Sequence, residues 1–163
     1  MSISRQNLSV IIVSFKSDHI IQRCIGSIDK EIEIIVVDNS NNAEFKKYIE
    51  EKYENVRCIL STKNIGMGAG NNIGIRSTNK DFALVLNPDV ILEKDAINQI
   101  IIASKKINSF GVIAPTLDDV KYPNYKLDHT KDQKFDLINP FKVKSVDGYS
   151  MLLNLKKLKQ LTN

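Results

Sequence analysis

The chain has 163 residues, the usual length of one domain. Its 42% hydrophobic and 26% charged residues are ordinary for a globular protein, so we expect residues 1–163 to form a single domain. No apolar run approaches the length of a membrane span and no signal peptide precedes the first apolar segment, so we expect a cytoplasmic protein. Few aromatic residues, and no arginine after Arg76, argue against a nucleic-acid-binding surface.

The positive charge is concentrated in the C-terminal part of the chain. The formal net charge is +4, and nine lysines against four aspartates follow residue 120. A solvated surface is the simplest interpretation of this Lys-rich part. The alternatives are a peripheral contact with anionic lipid at the inner face of the plasma membrane and the binding of an anionic substrate.

Two cysteines, Cys24 and Cys58, lie far apart in apolar segments and have no CxxC spacing. This placement predicts two small buried thiols in a reducing compartment, with a disulfide as the weaker alternative.

Apolar periodicity predicts alternating strands and helices along the first 117 residues. The strands are runs of β-branched and apolar residues, and the helices carry apolar side chains at intervals of three and four. In chain order, the prediction is strand 8–15, helix 21–28, strand 31–40, helix 43–53, strand 56–60, strand 81–87, helix 93–107 and strand 111–117.

The pattern weakens after the fifth predicted strand. Residues 118–144 are polar, rich in lysine and interrupted by two prolines, which predicts a long loop. A turn and strand at 146–155 and the start of a helix at 155–161 follow.

Alternation of strands and helices predicts an α/β fold with a mainly parallel sheet. Ligands of such sheets bind at the carboxyl ends of the strands. Ser14 ends the first predicted strand, Asp38 the second, and Asn87 and Asp89 the fourth. We therefore expect these polar side chains to converge on one cleft.

A glycine-rich segment, NIGMGAGNNIG, runs from Asn64 to Gly74. It lacks the GxGxxG spacing of a dinucleotide-binding turn and the Gly-Lys-Ser/Thr of a P-loop. A tight connection between a strand and a helix would explain the glycines alone. Its three asparagines, Asn64, Asn71 and Asn72, favour a ligand-binding loop, since a turn needs fewer amide donors and acceptors.

The two aspartates at strand ends have structural and functional interpretations. Asp38 either forms an Asx turn or helix cap, or accepts a hydrogen bond from a base or sugar. Asp89 follows Pro88, which ends strand pairing. It either forms a turn or cap, or binds a divalent cation, Mg²⁺ or Mn²⁺, that bridges phosphates.

Four segments in this order, VIIVSF, IEIIVVDNSNN, NIGMGAGNNIGI and FALVLNPDVIL, resemble family 2 glycosyltransferases of the GT-A fold. Within that family they are most similar to rhamnosyltransferase-like enzymes of bacterial polysaccharide synthesis. The resemblance implies a three-layer, Rossmann-like fold with a mainly parallel sheet. It also implies an inverting sugar transfer from a nucleotide-diphospho-sugar donor, dTDP-rhamnose or a UDP-sugar, to a saccharide or lipid-linked acceptor.

The resemblance also implies which residues bind the donor. The implied nucleotide-sugar-binding positions are Ser14, Phe15, Asp38, Asn64, Gly66, Asn72 and Asn87. Ser14 and Phe15 would line the base pocket, and Asp38 would hydrogen-bond the base. Asn87-Pro88-Asp89 takes the place of the family's DxD motif, with Asp89 at the metal-binding position for Mg²⁺ or Mn²⁺. Asn87 departs from the usual first aspartate, and its amide can still bond a ribose hydroxyl.

The resemblance leaves the catalytic base unassigned. In relatives, a segment like VDGYSMLLNL leads into an acidic stretch that holds the general base, whereas this sequence ends at Asn163. We therefore expect a C-terminally truncated chain with its base beyond Asn163. Two alternatives stay open: a non-catalytic nucleotide-sugar-binding fragment, and a sugar nucleotidyltransferase. The latter should carry a basic, Gly-rich loop where this chain has Phe15-Lys16-Ser17.

Overall fold

The computed structural model describes residues 3–116, 121–127 and 139–160. A 3-10 turn at Arg5–Asn7 precedes the first strand. The strands are β1 (Leu8–Ser14), β2 (Glu33–Asp38), β3 (Val56–Leu60), β4 (Phe82–Leu86), β5 (Val112–Ile113), β6 (Tyr125–Lys126), β7 (Ser145–Val146) and β8 (Ser150–Asn154). The helices are α1 (Ile21–Gly26), α2 (Ala43–Lys52), α3 (Met67–Ser77), α4 (Ala96–Lys105) and α5 (Leu155–Gln160).

The main sheet has six strands in the order β3-β2-β1-β4-β8-β5. The first four are parallel to one another, and β8 runs antiparallel between β4 and β5. The predicted α/β fold with a mainly parallel sheet is therefore confirmed. Strand order reverses at β1, because β2 and β3 lie on one side of it and β4 on the other. Ligand crevices of α/β sheets lie at such switch points, outside the carboxyl ends of the strands.

Helices cover both faces of the sheet. Strands β1, β2 and β4 are buried along nearly their whole length, as continuous apolar runs of parallel strands require. On one face, Ile12, Val36 and Leu84 pack with apolar residues of α1, α2 and α4. The opposite face packs against α3 and α5. The molecule is thus a three-layer sandwich with the sheet in the middle.

Several predicted elements differ from the structure in extent or type. The fifth strand, predicted at 111–117, spans only Val112–Ile113 and lies at the outer edge, paired with β8. Helix 93–107 is shorter, at Ala96–Lys105, since residues 93–95 lie outside the regular helix. The glycine-rich segment, predicted as a loop, is helical from Met67 onwards, because that helix packs on the sheet.

The loop predicted at 118–144 lies partly outside the described residues. Within its described part, the short strand β6 interrupts the predicted loop and pairs antiparallel with β7, which follows the loop, in a separate two-stranded sheet. Both cysteines are buried and free, as predicted. Burial is the main cause that raises the pKa of each thiol to about 12. Within the part of the chain that the structure describes, no helix is long and apolar enough to cross a bilayer.

Candidate functional site

The carboxyl ends of β1, β2 and β4 meet at one edge of the sheet. Asp38 at the end of β2 lies in register beside Ser14 at the end of β1, and Leu86 of β4 lies beside Ile12. Because β2 and β4 flank β1, their ends are about 10 Å apart at ordinary strand spacing. Asp38, and Asp89 just beyond β4, therefore lie at the same edge.

Asp38 anchors the loop between β2 and α2. Its side chain is fully buried, and its two carboxylate oxygens accept hydrogen bonds from the backbone N–H groups of Ser40 (3.1 Å) and Asn42 (2.8 Å). These contacts match the Asx-turn interpretation of Asp38. Asn42 serves as the N-cap of α2, because its side-chain oxygen accepts a hydrogen bond from Phe45 N. Each Asp38 oxygen keeps a further lone pair. Ser14 is equally buried, so direct ligand contact with either side chain requires the surrounding loops to shift.

The loop after β1 is joined to the loop after β2. Lys16 N donates to Ser40 Oγ at 2.6 Å, and Lys16 has a left-handed backbone with φ of 54°. The Asp18 carboxylate accepts from Asn42 Nδ2 at 3.1 Å. Phe15 lies on this loop with 45% of its surface exposed, and Lys16 Nζ is 5.5 Å from its ring centroid. The exposed ring offers a flat face at the rim of the cleft.

Gly66 forms the turn that starts α3. Its backbone has φ of 81° and ψ of 167°, a region that only glycine populates readily. Asn64 Oδ1 accepts from Gly66 N at 3.0 Å, and Asn39 Nδ2 donates to Gly66 O at 3.3 Å. The turn is therefore tied to the end of β2. Asn64 and Gly66 are exposed at this edge, and Asn72 is exposed in the second turn of α3.

Two other glycines serve packing. A Cβ on Gly70 would lie 2.9 Å from both γ-methyl carbons of Val13, and a Cβ on Gly74 would lie 2.4 Å from Ile11 Cγ2. Glycine at these positions lets α3 lie directly on β1. Of the two interpretations of the segment, a close connection accounts for Gly70 and Gly74, whereas Asn64, Gly66 and Asn72 face solvent.

Asp89 lies on an exposed turn after β4. Val90 N donates to Asn87 O at 3.2 Å across Pro88 and Asp89, which closes the turn. No hydrogen bond or ion pair from the described residues reaches the Asp89 carboxylate, although its charge adds to the rise in the Cys24 pKa that burial causes. Among those residues there is also no cluster of three or more His, Cys, Asp or Glu side chains. A cation here would need ligand oxygens besides Asp89.

Buried polar atoms without partners gather near the same edge. Within the described ranges these atoms are Ser14 Oγ, Asp18 Oδ1, Asn39 Oδ1 and Asn71 Oδ1. Asn39 is one of the polar residues at the end of the second predicted strand, Asn71 belongs to the glycine-rich segment, and Asp18 has no signal in the sequence. The one sequence signal for Asn39 was its position directly after a strand-ending aspartate. Buried polar groups are normally paired, so their clustering marks this edge as a place built for a polar ligand or ordered water.

Comparison with known proteins shows related chains of similar fold. The low-salt glycan biosynthesis hexosyltransferase Agl10 of Haloferax volcanii is 33% identical over 115 residues, which are 68% of this chain and 36% of that protein. The mannosyltransferase PcManGT from Pyrobaculum calidifontis, solved with GDP-Man and Mn²⁺, superposes with a TM-score of 0.69 at 12% identity. That superposition covers 97% of this chain and 47% of the mannosyltransferase.

Residues 1–349 of TarS from S. aureus, solved with UDP-GlcNAc, superpose with a TM-score of 0.67 at 17% identity, over 96% of this chain and 47% of that one. This chain therefore spans about a third to a half of the length of these relatives. The superpositions establish the GT-A fold. The sequence pattern described as "Glycosyl transferase family 2" matches residues 9–158, well over half of the chain. The chain belongs to glycosyl transferase family 2.

Proposed function

We propose that this chain is the donor-binding part of a hexosyltransferase that uses a nucleotide-diphospho-sugar. The observation that carries the proposal is the convergence of Asp89, the Gly66 turn and unpaired buried polar atoms at the switch-point edge of a family 2 domain. TarS was solved with UDP-GlcNAc and PcManGT with GDP-Man, and both share the fold of this chain. These complexes support a sugar nucleotide as ligand.

The same proposal specifies the donor, the acceptor and the use of the product. The donor is dTDP-rhamnose or a UDP-sugar, the acceptor is a saccharide or a lipid-linked saccharide, and the product serves bacterial cell-surface polysaccharide synthesis. The enzyme works in the cytoplasm, where exposed lysines such as Lys121, Lys126 and Lys142 give it a peripheral contact with the inner face of the plasma membrane.

Exposed side chains at the edge would contact the donor directly. Phe15 presents its ring to the base, and Asn64 offers its amide beside the Gly66 turn. Asn72, exposed in the second turn of α3, is the more distant of the proposed contacts. The half-buried Asn87 offers its side-chain amide to a ribose hydroxyl. Ser14 and Asp38 lie behind this surface, where they hold the loops and reach the base once those loops adjust around it.

Asp89 fits a divalent cation, Mg²⁺ or Mn²⁺, that enters with the donor. It is an exposed carboxylate with no protein partner among the described residues, and such ions commonly take one carboxylate together with phosphate oxygens and waters. When bound, the cation would stabilise the negative charge of the diphosphate leaving group. The role of Asp89 is to hold that charge at the carboxyl end of β4. We assign no general base among the described residues.

The test is a titration of UDP, dTDP and GDP with and without Mn²⁺, by calorimetry, on wild type and three variants. In Asp89→Asn the exposed metal ligand loses its charge. Asp81→Asn is the matched control, because Asp81 precedes the same strand at its opposite end and pairs with Lys156 at 2.9 Å. Asp38→Asn replaces one of the two oxygens that hold the β2 loop.

We expect Mn²⁺ to strengthen nucleotide binding to wild type and Asp81→Asn. Asp89→Asn should lose about tenfold or more of that enhancement, because it removes the charge proposed to hold the cation, and tenfold in affinity corresponds to about 1.4 kcal/mol. Asp38→Asn should bind nucleotide more weakly even without metal. Wild type that binds no nucleotide would refute the proposal. Binding without sugar transfer or donor hydrolysis would favour the non-catalytic alternative for this chain.

A further inference from the structure

We propose that Cys24 and Ser27 at the C-terminal end of α1 are positioning residues for the turn that carries Asp89. The inference rests on the proposed function, since it concerns how a metal-binding carboxylate is held. It assigns these two side chains no contact with the donor. They act on the backbone on either side of Asp89.

Cys24 holds the start of the turn. Its thiol donates to the carbonyl oxygen of Asn87 at an Sγ–O distance of 3.6 Å. The same carbonyl accepts from Val90 N at 3.2 Å, so one oxygen closes the turn and joins it to α1. Cys24 is fully buried, so its thiol makes this contact within the packed core.

Ser27 holds the segment beyond Asp89. Its hydroxyl accepts a hydrogen bond from Leu92 N at 3.0 Å and donates one to Cys24 O at 2.7 Å. The backbone is thus held at Asn87 and again at Leu92, with Asp89 between the two points. Val90 and Leu92 also pack, partly buried, against the same core as Cys24.

The sheet alone does not fix this segment. Pairing of β4 with β1 and β8 ends at Leu86, and one further backbone bond joins Asn87 N to Tyr149 O at 2.9 Å. Pro88 has no N–H to add another. Beyond Asn87, the hydrogen bond from Leu92 to Ser27 is the contact with α1 that restrains the chain on the far side of Asp89.

The experiment compares Ser27→Ala with Ser27→Thr, and Cys24→Ala with Cys24→Ser. Ser27→Ala and Cys24→Ala each remove the side-chain hydrogen-bonding group. Ser27→Thr and Cys24→Ser each keep a hydroxyl group at that position. For each protein we would measure the dissociation constant of Mn²⁺ in the presence of UDP or dTDP, whichever binds wild type more tightly. The affinity for that nucleotide without metal and the thermal midpoint serve as controls.

We expect Ser27→Ala and Cys24→Ala to weaken Mn²⁺ binding roughly three- to tenfold, the effect of losing one hydrogen bond. Metal-free nucleotide affinity should stay within about twofold, and Ser27→Thr and Cys24→Ser should recover most of the loss. A purely structural role would lower the thermal midpoint and weaken both affinities together, and that result would overturn the inference.

The same measurements on Asp89→Asn separate this inference from the proposed function. If Asp89→Asn weakens Mn²⁺ binding while both alanine variants match wild type, the positioning role is wrong and the proposed function stands. If Asp89→Asn has no effect, the metal assignment fails, and the positioning role is overturned with it.

Discussion

Replacing Gly74 by alanine tests whether close packing of α3 on β1 holds this side of the fold. The new Cβ would lie 2.4 Å from Ile11 Cγ2 and 3.5 Å from Val37 Cγ2. Ile11 is fully buried and β-branched, so rotating its side chain moves the methyl group away only by forcing the ethyl group into new contacts. Overpacking of this kind costs about 1–3 kcal/mol, while alanine recovers up to about 1 kcal/mol of helix propensity. We expect a net loss of about 1–2 kcal/mol.

The measurement is urea unfolding of Gly74→Ala beside Gly68→Ala in the same helix. A Cβ on Gly68 meets no heavy atom within 4 Å, so this variant should lose nothing and gain up to about 1 kcal/mol. The difference between the two free energies of unfolding isolates the contact with β1 from helix propensity. Equal stabilities for the two variants would show that α3 does not need glycine to approach the sheet.

Two further predictions concern the Gly66 turn and the buried thiols. Gly66→Ala should lose about 1–3 kcal/mol of stability, because φ of 81° with ψ of 167° excludes a Cβ; a thermal midpoint equal to that of wild type would contradict it. Burial raises the pKa of Cys24 and Cys58 from 9.0 to about 12, so the folded chain binds more protons than the unfolded chain between these values, and stability falls as pH rises through that window. Each thiol contributes about 1.4 kcal/mol per pH unit there. Urea unfolding at pH 9, 10 and 11 should give a flatter pH dependence for Cys58→Ala, and identical slopes would refute the assignment.

The parallel part of the sheet was predictable because each central strand is a continuous apolar run. Leu8–Ser14 and Phe82–Leu86 are buried along their length, and such runs have few alternatives in a chain that alternates with amphipathic helices. The insertion of β8 between β4 and β5 was not predictable. Strand order depends on pairing between distant segments, and neither Val112–Ile113 nor Ser150–Asn154 carries a local signal for its neighbour.

The glycine-rich segment could not be predicted from local sequence preference alone. Glycine has low helix propensity, so a helix at Met67–Ser77 contradicts the local preference. Contact of Gly70 and Gly74 with β1 outweighs that preference, because only a residue without a Cβ allows the approach. From the sequence, Gly66, needed for its backbone angle, is indistinguishable from Gly70, needed for packing. The distinction requires the position of Val13.

Asp38 and Asp89 show why position at a strand end is weaker evidence than exposure. Asp38 ends β2 and Asp89 follows β4 at the same edge, and the family resemblance implies both as ligand contacts. In the structure Asp38 is buried and bonded to Ser40 N and Asn42 N, whereas Asp89 is exposed without a hydrogen-bond partner among the described residues. A buried carboxylate that holds two backbone amides stabilises the loop whether or not a ligand is present. Weaker binding by Asp38→Asn therefore argues for direct base contact only if the variant keeps its thermal midpoint. The Asp89→Asn result needs no such control, because the Asp89 carboxylate holds no backbone amide among the described residues.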